Sequence, residues 1–234
     1  MIARVKVLDS RALTPTTHAV RFEKPKGFAF RPVQFCGLEI ETDEGGVEYP
    51  MSLACSPTRP YLEFGARVTS GSAWKRAFRA LVPGDEAEVD GPYGHFVLDE
   101  SRPAVLVAGG IGITPLKGMA EYAADKKLDV SLRLLYSNRA QDDIPYKDEV
   151  DALARQNPRF SVVHTLTRAS PAAAWAGRRG RIDAALLEQA SADLRDPMYY
   201  VCGIPEMVEE MVDTLRRMNV PAGRIMYEGF HGYD

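Results

Sequence analysis

Residues 104–119 read AVLVAGGIGITPLKGM, and this order of residue types decides how the chain divides. Ala104 to Ala108 form an unbroken apolar run, the mark of a parallel strand covered on both faces. Gly109, Gly110 and Gly112 follow at once, and Thr114 and Pro115 then open a helix. Proline near a first helical turn removes only a donor that the helix leaves free. Glycines let a backbone approach a phosphate closely, and the free N–H groups of a helix start attract the anion. The spacing departs from G-x-G-x-x-G, because Pro115 holds the last glycine position. Glycines also build plain tight turns, but a strand before and a helix after favour a nucleotide loop.

Downstream the alternation is strict. Residues 113–127 read as a helix, 129–137 as a strand, 146–156 as a helix and 159–167 as a strand. A helix over 181–190, a strand over 198–203, a helix over 205–218 and a strand over 223–230 complete the series. In the last helix Met207, Val208, Met211, Val212, Leu215 and Met218 share one face. Such β/α alternation predicts a parallel doubly wound sheet. A second loop, Cys202-Gly203 before Pro205, repeats the strand–glycine–helix order and belongs to the same carboxyl edge, where such sheets bind ligands. Read from the residue alone, Cys202 is a buried apolar cysteine.

Upstream the rhythm differs. Residues 3–13, 18–25, 36–42, 61–68 and 85–91 are short strand-like runs, separated by turn residues such as Pro25, Gly27, Gly45-Gly46, Pro57, Pro60 and Pro83-Gly84. This pattern predicts a small antiparallel barrel. One helix interrupts it: Trp74, Phe78 and Leu81 recur at helical spacing, with Ser70 or Ser72 as N-cap and Pro83-Gly84 as the stop. The pattern changes near residues 99–103, so the expected domains are 1–100 and 101–234.

Composition excludes several classes. A hydrophobic content of 45% supports a true core, and a net charge of −3 gives no basis for non-specific nucleic-acid binding. No apolar run reaches the roughly 20 residues of a membrane span. The opening residues alternate like a strand and are no signal peptide. Cys36, Cys55 and Cys202 lie far apart and make no C-x-x-C pair, and His18, His95, His164 and His231 lack metal-ligand spacing. No metal site is expected, and the reducing cytoplasm is the expected compartment.

Taken together, AGGIGITP (108–115), CGIPEMV (202–208), VDGPYGHF (89–96) and PVQF (32–35) resemble, in order, the nucleotide loop, the C-G-x-P-x-M segment, the G-P-x-G-x-F turn and the P-G-Q-F segment of the ferredoxin–NADP reductase family. Val33 replaces a glycine in the last. The resemblance covers nearly the whole chain. It implies an FAD-binding barrel, an NAD(P)-binding α/β domain and hydride transfer in the cleft between them.

The family's flavin segment, R-x-Y-S, corresponds here to YPMSLACSP (49–57). Ser52 and the small residues after it match, whereas Tyr49 stands at the arginine position and Met51 at the aromatic one. The resemblance implies flavin contacts from Tyr49, Met51, Ser52 and Leu53, with Met51 packing on an aromatic face. A tyrosine hydroxyl does not replace a guanidinium fork. The pyrophosphate charge is therefore expected to fall to Arg67, or to the helix start with Ser72, Lys75 and Arg76; an ordinary solvated helix is the other reading of that segment. FMN in place of FAD stays open.

For the nicotinamide nucleotide the resemblance implies Gly110, Gly112, Thr114 and Gly203. NAD-specific sheets commonly place an acid at the end of the second strand. Here Ser137, Asn138 and Arg139 stand there, and Thr167-Arg168 ends the next strand, with Arg178 and Arg179 beyond it. NADPH is favoured over NADH. Ser52 is expected near the flavin N5, Cys202 beside the nicotinamide as a positioning group, and Glu228 as a proton handler. Phe230 and Tyr233 are candidates to cover the flavin; a frayed end is the alternative for Tyr233. The implied activity is a flavin-dependent NAD(P)H oxidoreductase serving a separate acceptor, such as a ferredoxin, a flavodoxin or an oxygenase component. A free-flavin or ferric reductase and a non-catalytic subunit that keeps the fold are the alternatives.

Overall fold

Every strand-like run of the first hundred residues joins one sheet, and every one after it joins another. A computed structural model describes residues 1–69, 71–168 and 174–230. Strands β1 (Ile2–Thr14), β2 (Thr17–Glu23), β3 (Phe35–Thr42), β4 (Gly45–Ser52), β5 (Tyr61–Arg67) and β6 (Glu86–Tyr93) pair antiparallel in the order β4-β3-β6-β1-β2-β5. The edge strands β4 and β5 approach each other, so the sheet curls toward a barrel. Its interior holds Val20, Phe22, Leu38, Leu53, Leu62, Phe64 and Val89. Helix α1 (Ala73–Ala80) closes one end by burying Trp74 and Phe78, and Leu81 ends it as the C-cap.

The second sheet contains β7 (Ala104–Gly109), β8 (Leu132–Asn138), β9 (Phe160–Leu166), β10 (Arg178–Arg179), β11 (Met198–Gly203) and β12 (Ile225–Gly229). All pairs are parallel, in the order β10-β9-β8-β7-β11-β12. Helices α2 (Ile113–Asp125), α3 (Lys147–Gln156), α4 (Ala184–Ser191) and α5 (Pro205–Arg217) cover its two faces. The continuous apolar run of β7 now has its reason. Ala104, Leu106 and Ala108 point into a core shared with α2, while Val105 and Val107 point into the core under α4 and α5.

Two strands add to the expected set. β4 reaches back to Gly45 and carries Pro50, which an edge strand tolerates because its N–H side can face solvent. β10 has only two residues and was too short to read from a pattern.

The two sheets meet through polar groups. Lys117 of α2 has no exposed side-chain surface and lies 2.7 Å from Glu121, 3.0 Å from Glu149 and 3.7 Å from Glu63 of β5. Arg11 of β1 bridges Glu63 at 3.2 Å and Glu149 at 2.9 Å, and Arg21 of β2 pairs with Glu63 at 2.5 Å. Asp143 accepts hydrogen bonds from the Thr14 and Thr16 hydroxyls and pairs with Arg67. Burial alone would raise the Glu149 carboxyl, but Lys117 and Arg11 outweigh it and hold it below its ordinary 4.5. An acid held low in the folded state stabilises fully above its unfolded value and loses that contribution as pH falls through the lower one. Urea midpoints should therefore drop as pH falls from about 4.5 downward, and Glu149→Gln should flatten that slope.

Candidate functional site

The carboxyl ends of the parallel strands open onto the curled sheet, and a cleft of about 870 Å³ lies between them. That volume is at the upper end for a small-molecule site. One wall is Tyr49, Pro50, Met51 and Ser52 from the end of β4, with Gly65, Ala66 and Arg67 from β5 and Trp74 and Lys75 from α1. The other wall is the glycine loop at Gly109–Ile111, Thr114, the ends of β8 and β9, Ile204, Met207 and the segment Glu228–Phe230.

The glycines of the loop do different jobs. Gly110 has φ +52°, and a Cβ there would meet nothing within 4 Å, so its backbone is open to a ligand. Gly112 is buried, and a Cβ would lie 2.4 Å from the Cys202 carbonyl oxygen; its role is close packing of α2 on β11. Gly203 is also buried, with an added Cβ 3.1 Å from the Met207 sulfur. The Thr114 hydroxyl donates to the Ile111 carbonyl at 3.1 Å and so stiffens the loop.

On the first wall the ring of Tyr49 stacks on Trp74 with centroids 4.8 Å apart, and Trp74 stacks on Phe78 at 4.9 Å. The tyrosine at the arginine position is thus part of an aromatic column tied to α1. Three expected contacts are placed elsewhere. Arg76 points to Asp43, Glu44 and the Gly71 carbonyl, outside the cleft. The Ser72 hydroxyl is committed as N-cap and accepts from the Lys75 N–H at 3.4 Å. Leu53 has no exposed surface and belongs to the barrel interior. Arg67 and Lys75 are the cations that line this wall.

On the second wall the loops after β8 and β9 are tied together. The Thr167 N–H donates to the Asn138 carbonyl and the Arg168 N–H to the Arg139 carbonyl, both at 2.9 Å. Arg139, Arg168 and Arg181 line this end of the cleft, and Arg181 pairs with Glu210 at 2.9 Å. Arg181 and Glu210 lie in separate elements, so no local signal marked them. Arg178 turns to Asp183 at 3.4 Å.

Cys202 has no exposed surface and does not line the cleft, which corrects its expected place beside the substrate. Desolvation pushes its thiol well above the ordinary range. Its β-ladder partner Glu228 does line the cleft. Burial raises the Glu228 carboxyl, and its Oε2 is buried with no hydrogen-bond partner. A carboxyl so placed is biased toward its protonated form. The Phe230 N–H donates to the Gly203 carbonyl at 2.8 Å, which pins Phe230 at the cleft. Tyr233 and His231 lie outside the described residues. Among the described residues no group of three metal-ligating side chains occurs, and no helix is long and apolar enough to cross a membrane.

Residues 106–213 match the family model described as Oxidoreductase NAD-binding domain. Ferredoxin–NADP reductase B of Sorangium cellulosum is 31% identical over 96% of this chain and 96% of its own length. The chain belongs to the ferredoxin–NADP reductase family. The glycine betaine monooxygenase reductase subunit of Pseudomonas aeruginosa is 33% identical over 89% of this chain, which spans 58% of that longer relative. The crystal structure of a ferredoxin NADP+ reductase from Neisseria gonorrhoeae with bound FAD and NADP superposes with a TM-score of 0.83, covering 97% of this chain and 98% of that one at 23% identity.

The cleft fits the two nucleotides this family uses. Gly110 leaves open space at the start of α2, Arg67 and Lys75 put positive charge on the barrel wall, and Arg139 and Arg168 put it at the far end.

Two outcomes test these placements. Gly112→Ala should destabilise by about 1–3 kcal/mol through overpacking against backbone, read as a lowered Tm. Burial raises the thiols of Cys36 and Cys55 to about 12 and pushes that of Cys202 well above its ordinary value. A disulfide reagent should therefore titrate none of the three in the native protein and all three in denaturant.

Proposed function

We propose that this chain is an NADPH-dependent, FAD-containing reductase of the cytoplasm that serves a separate protein acceptor of the ferredoxin, flavodoxin or oxygenase-component class. The supporting observation is the single cleft that joins the end of β4 to the glycine loop and Glu228. When bound there, FAD accepts hydride from the nicotinamide and can release the electrons singly to the acceptor. The relatives named for ferredoxin and for an oxygenase support the acceptor class.

The chain's own residues bind, orient and exclude water. We place the division of labour at residues 1–100 for flavin and 101–234 for the nicotinamide nucleotide. Ser52, at 8% exposure, is the polar group at the flavin end, and Tyr49 and Met51 flank it as flat, uncharged contacts. Arg67 and Lys75 face the pyrophosphate. Gly110 and Thr114 hold the nicotinamide nucleotide, with Gly112, Gly203 and Cys202 shaping the wall behind them. Thr167 and Arg168, with Arg139 beside them, meet the 2′-phosphate. Glu228, biased toward its protonated form, can hold a proton at its carboxyl near the reacting atoms. Phe230 shields the cleft from water.

The purified protein should be yellow, carry stoichiometric FAD on acid release, and bleach with NADPH under anaerobic conditions. A colourless protein that reduces added flavin would instead assign free flavin as the substrate, the outcome that the stacked Tyr49 in place of an arginine favours. Arg168→Ala should raise the KM for NADPH on the order of tenfold, the size of one charge-assisted contact, and leave that for NADH nearly unchanged. Equal effects on both would defeat the 2′-phosphate assignment.

A further inference from the structure

Helix α2 touches both halves of the molecule. Its first turn carries the nucleotide loop, and its middle grips the barrel just past Ser52. The Lys117 ammonium donates to the Ala54 carbonyl at 3.0 Å, and Glu121 Oε2 accepts the Ser56 N–H at 3.0 Å. Between them, Gly118 presses on the same segment so closely that a Cβ would lie 2.9 Å from the Cys55 carbonyl oxygen. Four residues of rigid helix therefore separate Gly112 from Lys117, and one residue of chain separates Ala54 from Ser52.

We propose that Lys117 is a positioning residue for the reduction reaction: it fixes the angle between the nucleotide-binding half and the flavin strand while touching neither ligand. The charges are arranged for this. Arg11 reaches across to Glu149, Arg59 to Glu121 and Lys117 to Glu63, so these opposite charges meet only when the halves dock in this register. The Lys117 ammonium also lies 4.9 Å over the ring of Tyr146. If adhesion were the whole role, an apolar contact would serve as well, because a buried ion pair gains little over a hydrophobic one of the same volume. A buried charge with four partners at fixed distances tolerates one geometry. Displacement of reacting groups by about 1 Å can cost about 100-fold in rate.

The inference rests on the reading that flavin and nicotinamide meet in the cleft, but its first test needs neither. Spin labels at Val82→Cys and Val163→Cys sit on exposed positions of the two halves, while the native cysteines are buried and stay unlabelled. The labelled parent should give one narrow distance distribution, and Lys117→Met should broaden it. Because Lys117→Met strands carboxylates and can fail to fold, Lys117→Met/Glu121→Gln is the second variant. It removes one charge of each sign, and the amide oxygen still accepts from Ser56. In the FAD-loaded double variant, flavin reduction at saturating NADPH should slow about 10- to 100-fold, with FAD content and NADPH Kd unchanged. A distribution as narrow as the parent's, or an unchanged reduction rate, overturns the proposal. A parent that neither binds flavin nor reacts with NADPH overturns the cleft reading alone.

Discussion

A lysine with no exposed side-chain surface governs this molecule. An ammonium removed from water is costly unless opposite charges and hydrogen-bond acceptors surround it, and Lys117 finds them in both halves of the molecule. Glu63 arrives from β5, Glu149 from α3, and the Ala54 carbonyl from the chain beyond β4. The cleft follows from that meeting, since its two walls are the segments that lead away from it. The left-handed turn at Tyr146 belongs to the same arrangement. Its ring is needed over Lys117, and its hydroxyl reaches so close to Gly65 that no side chain fits there.

The barrel wall departs from the family's usual way of meeting a pyrophosphate. Where an arginine would reach out, Tyr49 lies back on Trp74, and the positive charge sits farther along β5 and on α1, at Arg67 and Lys75. Arg67 is shared with Asp143, which is also held by two threonine hydroxyls. Were Arg67 to meet the pyrophosphate as proposed, ligand binding on this wall would compete with a contact between the halves.

The parallel half was legible because its signals are local. An apolar strand, a glycine loop and helices with one apolar face each declare themselves within a dozen residues, and the pattern of 104–119 places both in order. β4 was harder, since Gly45, Gly46 and Pro50 look like a turn and become a strand only through pairing with β3. At the site, motif and strand position single out Ser52, Gly110 and Arg168, and all three line the cleft. Arg76 was misplaced because Asp43 and Glu44, which draw it away, lie some thirty residues earlier. Cys202 fits the reading made from the residue alone, a buried apolar cysteine, and not the place beside the nicotinamide that the resemblance implies. Lys117 lies in the same 104–119 motif, and i,i+4 spacing marks Glu121, but its other partners come from three distant segments that no spacing rule connects.

The aromatic column of Tyr49, Trp74 and Phe78 has an optical consequence. The chain has two tryptophans. Trp74 lines the barrel side of the cleft, and Trp175 hydrogen-bonds the Arg178 carbonyl of the edge strand β10. Indole emits where oxidised flavin absorbs, so a flavin seated on this wall would quench the emission of Trp74 and make the protein a fluorescent gauge of its own loading.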